Sequence, residues 1–410
     1  MNKHIVFVIG RYIPEYSANA NCIKNVISEL KQQGFRISIV CASLTHTGVD
    51  MVDDVVVHRI KYTNYASRLS DCKSKLKKFF LVLLHFLKSI ILLPFYPNVT
   101  PSITHKAYKK LLEIQGNEGI DCLISVFQPY FPIKAALKFK RKYNAIPVVG
   151  YYLDVMKGAN KPFGTTQHFF EMLCDKAQKK DFAELDKVLL PECSRMYYDN
   201  KYYSEHHEKM TYLNFPTLLR ENFVGENVDR SMNLVYAGTT NKIYRNPVRV
   251  IGLCTRLKEY YPNLAFHLYG ASDMKDELRQ LDTQSNGAFI YQGVVKKDVA
   301  DLALRQADYL VNFGNNVSGM VPSKIFELIS TGKPIIHFTP GTMDSSVEYL
   351  SKYPKSHILN YRESEEELLS KIKAVFETPV IDIDFDIIEG IFFSATPNAV
   401  AEKITEVIKE

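Results

Sequence analysis

The sequence predicts an α/β protein built from two parallel β-sheets with helices on both faces. Two observations lead to this prediction. Apolar, strand-like runs alternate with helical patterns along most of the chain, as they do where crossover helices connect parallel strands. The alternation breaks once, at "PTLLRENFVGENVDRS" (216–231), which has no clear period and is interpreted as an interdomain linker. At roughly 100–200 residues per domain, 410 residues are expected to form two or three domains.

The first half opens with the strand "HIVFVI" (4–9) and a helix from about Asn19 to Gln33, which Gly34 ends. The strand runs are continuously apolar, which is typical of a parallel sheet buried on both faces. The further predicted elements are a strand at 36–42, a basic and apolar segment at 73–97, a strand at 121–127, a helix over 132–143, a strand at 146–153, a helix over 163–186 and strands at 187–190 and 209–215.

The second half repeats the same rhythm. Its predicted elements are a strand at 232–238, a helix near 247–260, a strand at 264–270, a helix over 273–283, a strand at 288–293, a helix over 297–305, a strand at 308–314, a short helix that Gly332 ends, strands at 333–338 and 357–361, and an amphipathic helix over 395–410. We therefore place the first domain at 1–215, joined by the terminal segment 386–410, and the second domain at 216–385.

The composition is globular, with 46% hydrophobic and 23% charged residues. A net charge of +6 suits anionic ligands or an anionic membrane surface, but it is too small to indicate nucleic-acid binding. Seven cysteines are scattered without a CxxC pair, which favours reduced thiols in a cytosolic protein over disulfides or a zinc site. The apolar run of "MNKHIVFVIG" is too short for the core of a signal peptide.

The segment "KSKLKKFFLVLLHFLKSIILLPFYP" (73–97) has a basic lead and a dense apolar run that only His85, Lys88 and Ser89 interrupt. Fifteen helical residues extend about 22 Å, less than the roughly 30 Å of a hydrocarbon core, so a spanning helix is not expected. We interpret the segment as a helix that lies on a membrane, with its lysines facing anionic headgroups. The alternative is a buried helix of an ordinary domain whose lysine extends to solvent.

Two Rossmann-like domains would place a cleft between the carboxyl ends of their strands, where such sheets bind ligands. "VIGRYIPEYSANA" supplies one glycine where a GxGxxG fingerprint has three, and the phosphate-binding motif GxxxxGK[ST] is absent from the sequence. Both observations argue against NAD or FAD as the ligand. No cofactor is therefore expected.

The stretch "VSGMVPSKIFELISTGKPIIHF" (317–338) contains the strongest candidate site. Pro322 suits the first helical position and Ser323 the first turn, so the helix start and Lys324 together favour an anion. Glu327 is placed to accept hydrogen bonds from the paired hydroxyls of a ribose. Phosphate and ribose together indicate a nucleotide. The alternative is a surface ion pair between Lys324 and Glu327, which contributes only tenths of a kcal/mol.

"GMVPSKIFELISTGKPII" resembles the donor-binding signature of family 4 glycosyltransferases, retaining enzymes of the GT-B fold, and in particular their bacterial polysaccharide-assembly members. "LVYAG", "FHLYG", "IYQGVV" and "ADYLVNFG" resemble the surrounding pieces in the same order. The resemblance covers the second domain and, more loosely, the first. It also implies that the terminal helix returns to the first domain.

The resemblance implies roles for individual residues. Glu327 would hold the ribose hydroxyls, and Lys324 would lie beside the diphosphate as the leaving charge develops. The further donor-side residues are Gly319, Met320, Val321 and Ser323 at the helix start, Gly270, Gly293 and Val294 after two strands, and Lys242 and Arg245 at the diphosphate. For Lys242 and Arg245 the alternative is a pair of solvated loop cations.

Two positions depart from the family pattern. The family has two glutamates separated by seven residues, and this chain has Gly319 at the first of these positions. Thr239 stands where the family has arginine. The resemblance implies a metal-independent reaction in which the leaving phosphate takes the proton of the acceptor. "DIDFD" (382–386) is accordingly interpreted as a loop and not as a metal site.

In the first domain, "GRYIPEYSANAN" (10–21) forms the loop above the first strand, so we expect Tyr16, Ser17 and Asn19 to contact the acceptor or the phosphates. "IPVVGYYLDVM" resembles a family segment that places Asp154 at the edge of the cleft, where it would orient the acceptor hydroxyl as a catalytic residue. The alternative for Asp154 is an ordinary helix cap.

The sequence thus predicts a cytoplasmic hexosyltransferase, peripherally bound to the inner face of the plasma membrane. It would move a sugar from a nucleotide-diphosphate-sugar to a glycan acceptor, expected to be lipid-linked, in the synthesis of a capsule, O-antigen or exopolysaccharide. Two alternatives remain open. One is a nucleotide-sugar 2-epimerase of the same architecture, although the cluster of acids and histidines that it needs is not evident. The other is a non-catalytic nucleotide-sugar-binding protein.

Overall fold

The computed structural model describes residues 3–15, 17–62, 65, 69, 72–92, 96–97, 100–158, 165–223, 232–243, 245–315, 321–341, 344–379 and 381–409. The described strands are β1 (His4–Ile9), β2 (Arg36–Ser43), β3 (Gly48–Val52), β4 (Val55–Lys61), β5 (Cys122–Phe127), β6 (Val148–Tyr152), β7 (Lys187–Pro191), β8 (Met210–Leu213), β9 (Met232–Ala237), β10 (Leu264–Tyr269), β11 (Phe289–Gly293), β12 (Tyr309–Phe313), β13 (Ile335–Thr339) and β14 (Ser356–Asn360).

The helices of the described residues occupy the crossovers between these strands. They are α1 (Ala18–Gln32), α2 (Lys75–Leu92), α3 (Pro101–Asn117), α4 (Phe131–Lys140), α5 (Gln167–Glu184), α6 (Arg195–Tyr198), α7 (Val248–Leu257), α8 (Lys275–Gln284), α9 (Lys297–Gln306), α10 (Lys324–Ile329), α11 (Ser346–Leu350), α12 (Glu365–Glu377), α13 (Phe385–Phe392) and α14 (Pro397–Lys409).

The chain divides into two compact units, Met1–Pro216 with Pro397–Glu410, and Thr217–Thr396. In the first unit the strand order is β3-β4-β2-β1-β5-β6-β7-β8, and only the β3–β4 pair is antiparallel. Every residue of β1 and β5 is buried, which explains their continuous apolar sequence. In register, Ile5 of β1 lies opposite Cys122 of β5 and Ile37 of β2.

The second unit has the strand order β11-β10-β9-β12-β13-β14, and every neighbouring pair in it is parallel. Leu234 of β9 lies opposite Phe266 of β10 and Tyr309 of β12. Strand β9 therefore has the next two strands of the chain on one side and the last three on the other. This arrangement creates a topological switch point between β9 and β12.

The terminal helix α14 belongs to the first unit, where it packs beside α1. Lys3 Nζ donates to Ile408 O at 2.7 Å, and Thr405 Oγ1 donates to Gln33 Oε1 at 3.3 Å. Residues 386–396, which the sequence assigned to the first domain, lie in the second unit instead. The reason is that the apolar side of α13 is buried there, with Phe392 against Phe326.

The linker prediction also needs a correction at its start, because residues 217–223 pack within the second unit. Thr217 Oγ1 donates to Ser323 O at 2.9 Å, and the ring of Phe223 contacts that of Phe385. Arg220 pairs with Asp386 and Glu389 of α13. The rest of the predicted linker, 224–231, lies outside the described residues.

Candidate functional site

The loops that follow β9 and β12 leave the carboxyl edge of the second sheet at the switch point, where open α/β sheets bind their ligands. A hydrogen bond joins described residues of these loops: Arg245 Nε donates to Asn315 Oδ1 at 3.0 Å. Both residues are half-buried. The loop after β12 leads to α10, so the motif that the sequence singled out belongs to the same edge.

Helix α10 has six residues, and four of them are buried: Ile325, Phe326, Leu328 and Ile329. Lys324 and Glu327 are the two that keep access to solvent, and their spacing places them on the same side of the helix. The apolar residues therefore anchor the helix while the two charged side chains face outward. Ser323 occupies the N-cap position, and Pro322, predicted as the first helical residue, precedes it.

Glu327 pairs with a residue that the sequence did not indicate. Lys297 Nζ, at the start of α9, lies 3.2 Å from Glu327 Oε1 and 2.7 Å from Asp301 Oδ2. Burial lowers the pKa of Lys297, but the charges of Glu327 and Asp301 outweigh burial and raise it overall. Within the described part of the chain, Lys324 and Glu327 form no ion pair with each other, so the surface-pair alternative does not hold.

Glycines stand at the carboxyl ends of the adjacent strands β9, β10 and β11. They are Gly238, Gly270 and Gly293, and the edge has no side chain at these three positions. Gly270 N donates to Gly293 O at 2.7 Å, while Gly238 N donates to Tyr269 O at 2.8 Å. Gly270 has φ +135°, and a Cβ there would lie 2.1 Å from Gly238 O. Only glycine fits this position. The predicted residues Gly270, Gly293 and Val294 thus share one edge, and Val294 is 77% exposed.

The two predicted diphosphate cations differ in their surroundings. Lys242 is 65% exposed in its side chain, and its Nζ lies 3.8 Å from Glu277 Oε2. Its backbone N–H donates to Asp273 Oδ1. Arg245 is half-buried and oriented by Asn315. Lys242 therefore matches the solvated-cation alternative, and Arg245 is the better candidate for an anion.

A buried polar cluster lies under the same edge and was not predicted. His337 Nε2 lies 2.8 Å from Asp344 Oδ2, and Asn312 Nδ2 lies 2.9 Å from His337 Nδ1. Burial favours the neutral form of Asp344, but the hydrogen bond and charge of His337 and the amide of Ser346 outweigh it and lower the pKa of this carboxyl. A Cβ on Gly314 would lie 1.7 Å from Asp344 Oδ2, so the cluster sets the path of the chain toward Asn315.

The remaining donor-side predictions have different outcomes. Val321 is buried and Ser323 has its carbonyl bound to Thr217. Gly319 and Met320 lie outside the described residues, as does Tyr16 in the first unit.

In the first unit the switch point lies between β1 and β5, and Asn19 bridges it. Asn19 Nδ2 donates to Phe127 O at 3.2 Å and to Gln128 O at 3.3 Å. Ser17 caps α1, with its Oγ accepting from Ala20 N at 3.1 Å. The amide nitrogen of Asn19 and the hydroxyl of Ser17 thus bind the protein itself, and a contact of these residues with the acceptor or the phosphates stays a prediction.

Asp154 follows β6 at the carboxyl edge of the first sheet and is half-buried. Burial raises the pKa of its carboxyl. Within the described residues no hydrogen bond to this carboxylate is found, so the helix-cap alternative has no support. Asp154 is therefore available to a ligand at this edge.

A buried arginine and a half-buried glutamate hold the loop after β1, and neither was predicted. The Arg59 guanidinium donates to the carbonyls of Tyr12 and Ile13 and pairs with Asp50. Glu15 Oε1 accepts from Ser43 Oγ and from Leu44 N, each at 2.8 Å. Arg59, a charged residue within the apolar strand β4, could have indicated this role.

No residue of α2 is buried, and the exposed fraction reaches 69% at Ile91. The alternative of a buried helix is therefore wrong. Among the helices that the structure describes, none is long and apolar enough to cross a membrane.

The DIDFD segment begins a helix: Asp384 Oδ1 accepts from Asp386 N at 3.0 Å and caps α13. Across the described residues, no group of three or more His, Cys, Asp or Glu side chains is arranged to hold a metal ion.

All seven cysteines lie in the described part of the chain, and no disulfide joins them.

No protein-family model matches the sequence, and no curated protein matches it. Solved structures do match the fold over nearly the whole chain. A UDP-forming α,α-trehalose-phosphate synthase from Burkholderia xenovorans, in complex with glucose-6-phosphate, is 9% identical, with a TM-score of 0.64 over 100% of both chains. WaaG, a glycosyltransferase involved in lipopolysaccharide biosynthesis, is 12% identical, with a TM-score of 0.54 over 98% of this chain and 99% of that one.

A third match is a candidate UDP-N-acetylglucosamine 2-epimerase from Listeria monocytogenes. It is 10% identical, with a TM-score of 0.57 over 100% of this chain and 96% of that one. The chain thus has the GT-B fold, with two parallel-sheet units and a C-terminal helix that returns to the first. Because this fold serves both glycosyl transfer and epimerisation, the function is argued from the site.

Proposed function

We propose that the protein is a retaining, metal-independent glycosyltransferase that moves a hexose from a nucleotide-diphosphate-sugar to a glycan acceptor. The observation that carries this proposal is the placement of Lys324 and Glu327, which lie three residues apart on α10. They are the two residues of α10 that keep access to solvent, and they follow the strand that forms the switch point. A cation and a carboxylate on one side of a helix suit a phosphate and a ribose diol.

In this proposal the carboxylate of Glu327 accepts hydrogen bonds from the ribose hydroxyls. Lys324 and Arg245 stabilise the negative charge that develops on the leaving diphosphate. The glycine edge of Gly270 and Gly293 lets the nucleobase approach the backbone, beside Val294. The leaving phosphate takes the proton of the acceptor hydroxyl, which Asp154 orients.

Calorimetric titration with UDP, GDP, CDP and dTDP tests the donor site. We expect one nucleotide to bind the protein and to lose at least tenfold in affinity in Glu327→Ala, because each charged hydrogen bond contributes about 1.5–3 kcal/mol. Glu348→Ala is the matched control, since Glu348 is an exposed residue of α11 in the same unit and pairs with Lys352. If no nucleotide binds the folded protein, the proposal fails.

Product analysis separates the alternatives. Glycosyl transfer yields a longer glycan and a free nucleoside diphosphate. A 2-epimerase alters the donor sugar without an acceptor, and a non-catalytic binding protein leaves the donor unchanged. We expect release of nucleoside diphosphate only when an acceptor is present.

We also propose that the acceptor is lipid-linked, in the synthesis of a bacterial surface polysaccharide. The protein would then act in the cytoplasm, on the inner face of the plasma membrane. Helix α2 supports this placement: apolar side chains such as Phe79, Leu84 and Ile91 are exposed, and its lysines suit anionic headgroups. An exposed apolar surface of this kind commonly marks an interaction site.

Sedimentation with vesicles of phosphatidylcholine and phosphatidylglycerol tests the role of α2. We expect the double substitution Leu84→Ser/Ile91→Ser to weaken binding. Val49→Ser/Met51→Ser is the matched control, because these side chains are exposed to a similar extent on the edge strand β3. Equal binding by both variants and the unmodified protein would remove α2 from the proposal.

A further inference from the structure

Helix α5 carries a second exposed stripe on the first unit. At about 100° per residue, five of its side chains fall within roughly 80° of arc. They are Phe169, Met172, Lys176, Lys180 and Ala183. Phe169 is 39% exposed and Met172 is 49% exposed. The stripe is thus apolar in the first half of the helix and basic in the second, and it contains no acidic residue.

The lysines of this stripe differ from four other charged groups of α5. Asp175, Lys179, Asp181 and Glu184 each have an ion-pair partner, which is Lys157, Glu205, Lys134 and Arg141, respectively. Lys176 and Lys180 have no carboxylate within 4 Å in the part of the chain that the structure describes. Two exposed lysines with no carboxylate within this distance, in line with an exposed phenylalanine and methionine, suit an anionic and partly apolar surface.

A shallow cavity of about 340 Å³, wide open to solvent, lies beside the basic half of the stripe. Lys176, Lys179 and Lys180 line it together with Tyr202, Glu205 and His206. Lys179 Nζ lies 2.7 Å from Glu205 Oε1 and 4.8 Å from the centre of the Tyr202 ring. Three lysines against one carboxylate leave an excess of positive charge, which favours a phosphate group.

The stripe lies close to the chain that leaves α2. The ring of Tyr96, four residues after the end of α2, packs against Phe170 of α5 with ring centres 5.5 Å apart. Phe170 is the direct neighbour of Phe169. The chain just beyond α2 therefore contacts α5 on its buried side, so both helices belong to one packed part of the first unit.

We infer that the stripe of α5 is a second membrane-contacting element and that its occupant is an anionic lipid bilayer. Phe169 and Met172 enter the interfacial region, and Lys176 and Lys180 bind lipid phosphates, with the cavity receiving a headgroup. This inference rests on the proposed membrane association, and it fixes which side of the first unit faces the bilayer. Charge complementarity along a single helical stripe is the observation that carries it.

Vesicle partition of the full chain tests the inference. With vesicles of phosphatidylcholine and phosphatidylglycerol, Lys176→Gln/Lys180→Gln is expected to bind about thirtyfold more weakly, because each lysine near an anionic surface contributes about fivefold. The matched control is Lys275→Gln/Arg279→Gln, which removes two exposed charges at the same spacing on α8. The difference in binding between Lys176→Gln/Lys180→Gln and the unmodified protein should vanish with vesicles of phosphatidylcholine alone. It should become smaller at high salt.

The apolar half of the stripe is tested by Phe169→Ala/Met172→Ala, which should weaken binding on the order of tenfold at all salt concentrations. If both α5 variants bind as tightly as the unmodified protein while the α2 variant does not, the inference is overturned and the role of α2 stands. If the unmodified protein does not bind vesicles, both ideas are overturned. Nucleotide titration of the same samples reports on the donor site separately.

Discussion

Lys297 Nζ lies 3.2 Å from Glu327 Oε1, so the carboxylate proposed to bind the ribose is already held by a cation from the neighbouring helix. Glu327 is only 19% exposed in its side chain, and Lys297 also pairs with Asp301. The lysine therefore orients the carboxylate and limits its freedom before the donor arrives. A preorganised acceptor loses less conformational entropy on binding.

Lys297→Met should weaken binding of the nucleoside diphosphate by roughly threefold to tenfold, because Glu327 loses its orienting charge. The effect should depend on the ribose. The 2′-deoxy form of the same nucleotide should bind Lys297→Met and the unmodified protein with nearly equal affinity. Calorimetry of both nucleotides measures this. In a double-mutant cycle, Lys297→Met and Glu327→Ala should be non-additive, and fully additive effects would contradict the orienting role.

Asn315→Ala should lower the affinity for the nucleoside diphosphate about threefold to thirtyfold, since Arg245 loses the acceptor that fixes its guanidinium. The corresponding nucleoside lacks the phosphates and serves as the internal control, with unchanged affinity expected. The double variant Arg245→Ala/Asn315→Ala should bind the nucleoside diphosphate no more weakly than Arg245→Ala alone. An equal loss for nucleoside and nucleoside diphosphate would indicate a general disturbance of the edge instead.

Gly270→Ala should destabilise the second unit by about 2–4 kcal/mol, because alanine resists a positive φ and its Cβ would meet Gly238 O. Gly252→Ala is the matched control. Gly252 lies in α7, and a Cβ there would meet no described atom within 4 Å beyond the backbone of its own helix, so alanine should stabilise by about 0.5–1 kcal/mol. Urea unfolding measures both, and a neutral Gly270→Ala would contradict the close contact.

Asp344→Asn should cost about 1.5–3 kcal/mol at pH 7, because it replaces the charged hydrogen bond between Asp344 and His337, whose side chains are both 0% exposed, with a neutral one. The pKa of Asp344 is lowered in the folded state. Its stabilisation is therefore complete above the unfolded value of about 3.9 and is lost as the pH falls through the folded pKa.

The stability difference between the unmodified protein and Asp344→Asn should thus shrink below about pH 4. Urea unfolding at pH 7, 5, 4 and 3 tests this, with exposed Asp276→Asn as the control that should change stability by less than about 0.5 kcal/mol. A difference that stays constant down to pH 3 would show that Asp344 does not gain its stability from ionisation.

Much of the fold followed from the sequence because buried parallel strands need continuous apolar runs and crossover helices need one apolar side. The strands at 4–9 and 121–127 and the helix ended by Gly34 illustrate this, and their bounds agree with the structure within one residue. The elements that were missed are strands β3 and β4 and helices α3, α6, α11, α12 and α13. In β3, Val49 and Met51 are exposed at the sheet edge, so no buried face marks the strand.

Local patterns predicted which residues would bind a nucleotide: a lysine and a glutamate three apart on an otherwise apolar helix, and glycines after strands. The partners of these residues became evident from the packing of the chain. Lys297, Asn315 and Asp344 reach Glu327, Arg245 and His337 from other elements, and the boundary of the second unit moved past α13 because Phe385 and Phe392 are buried there. Local periodicity reports which face of an element is buried, whereas contacts between distant elements arise only when the chain packs.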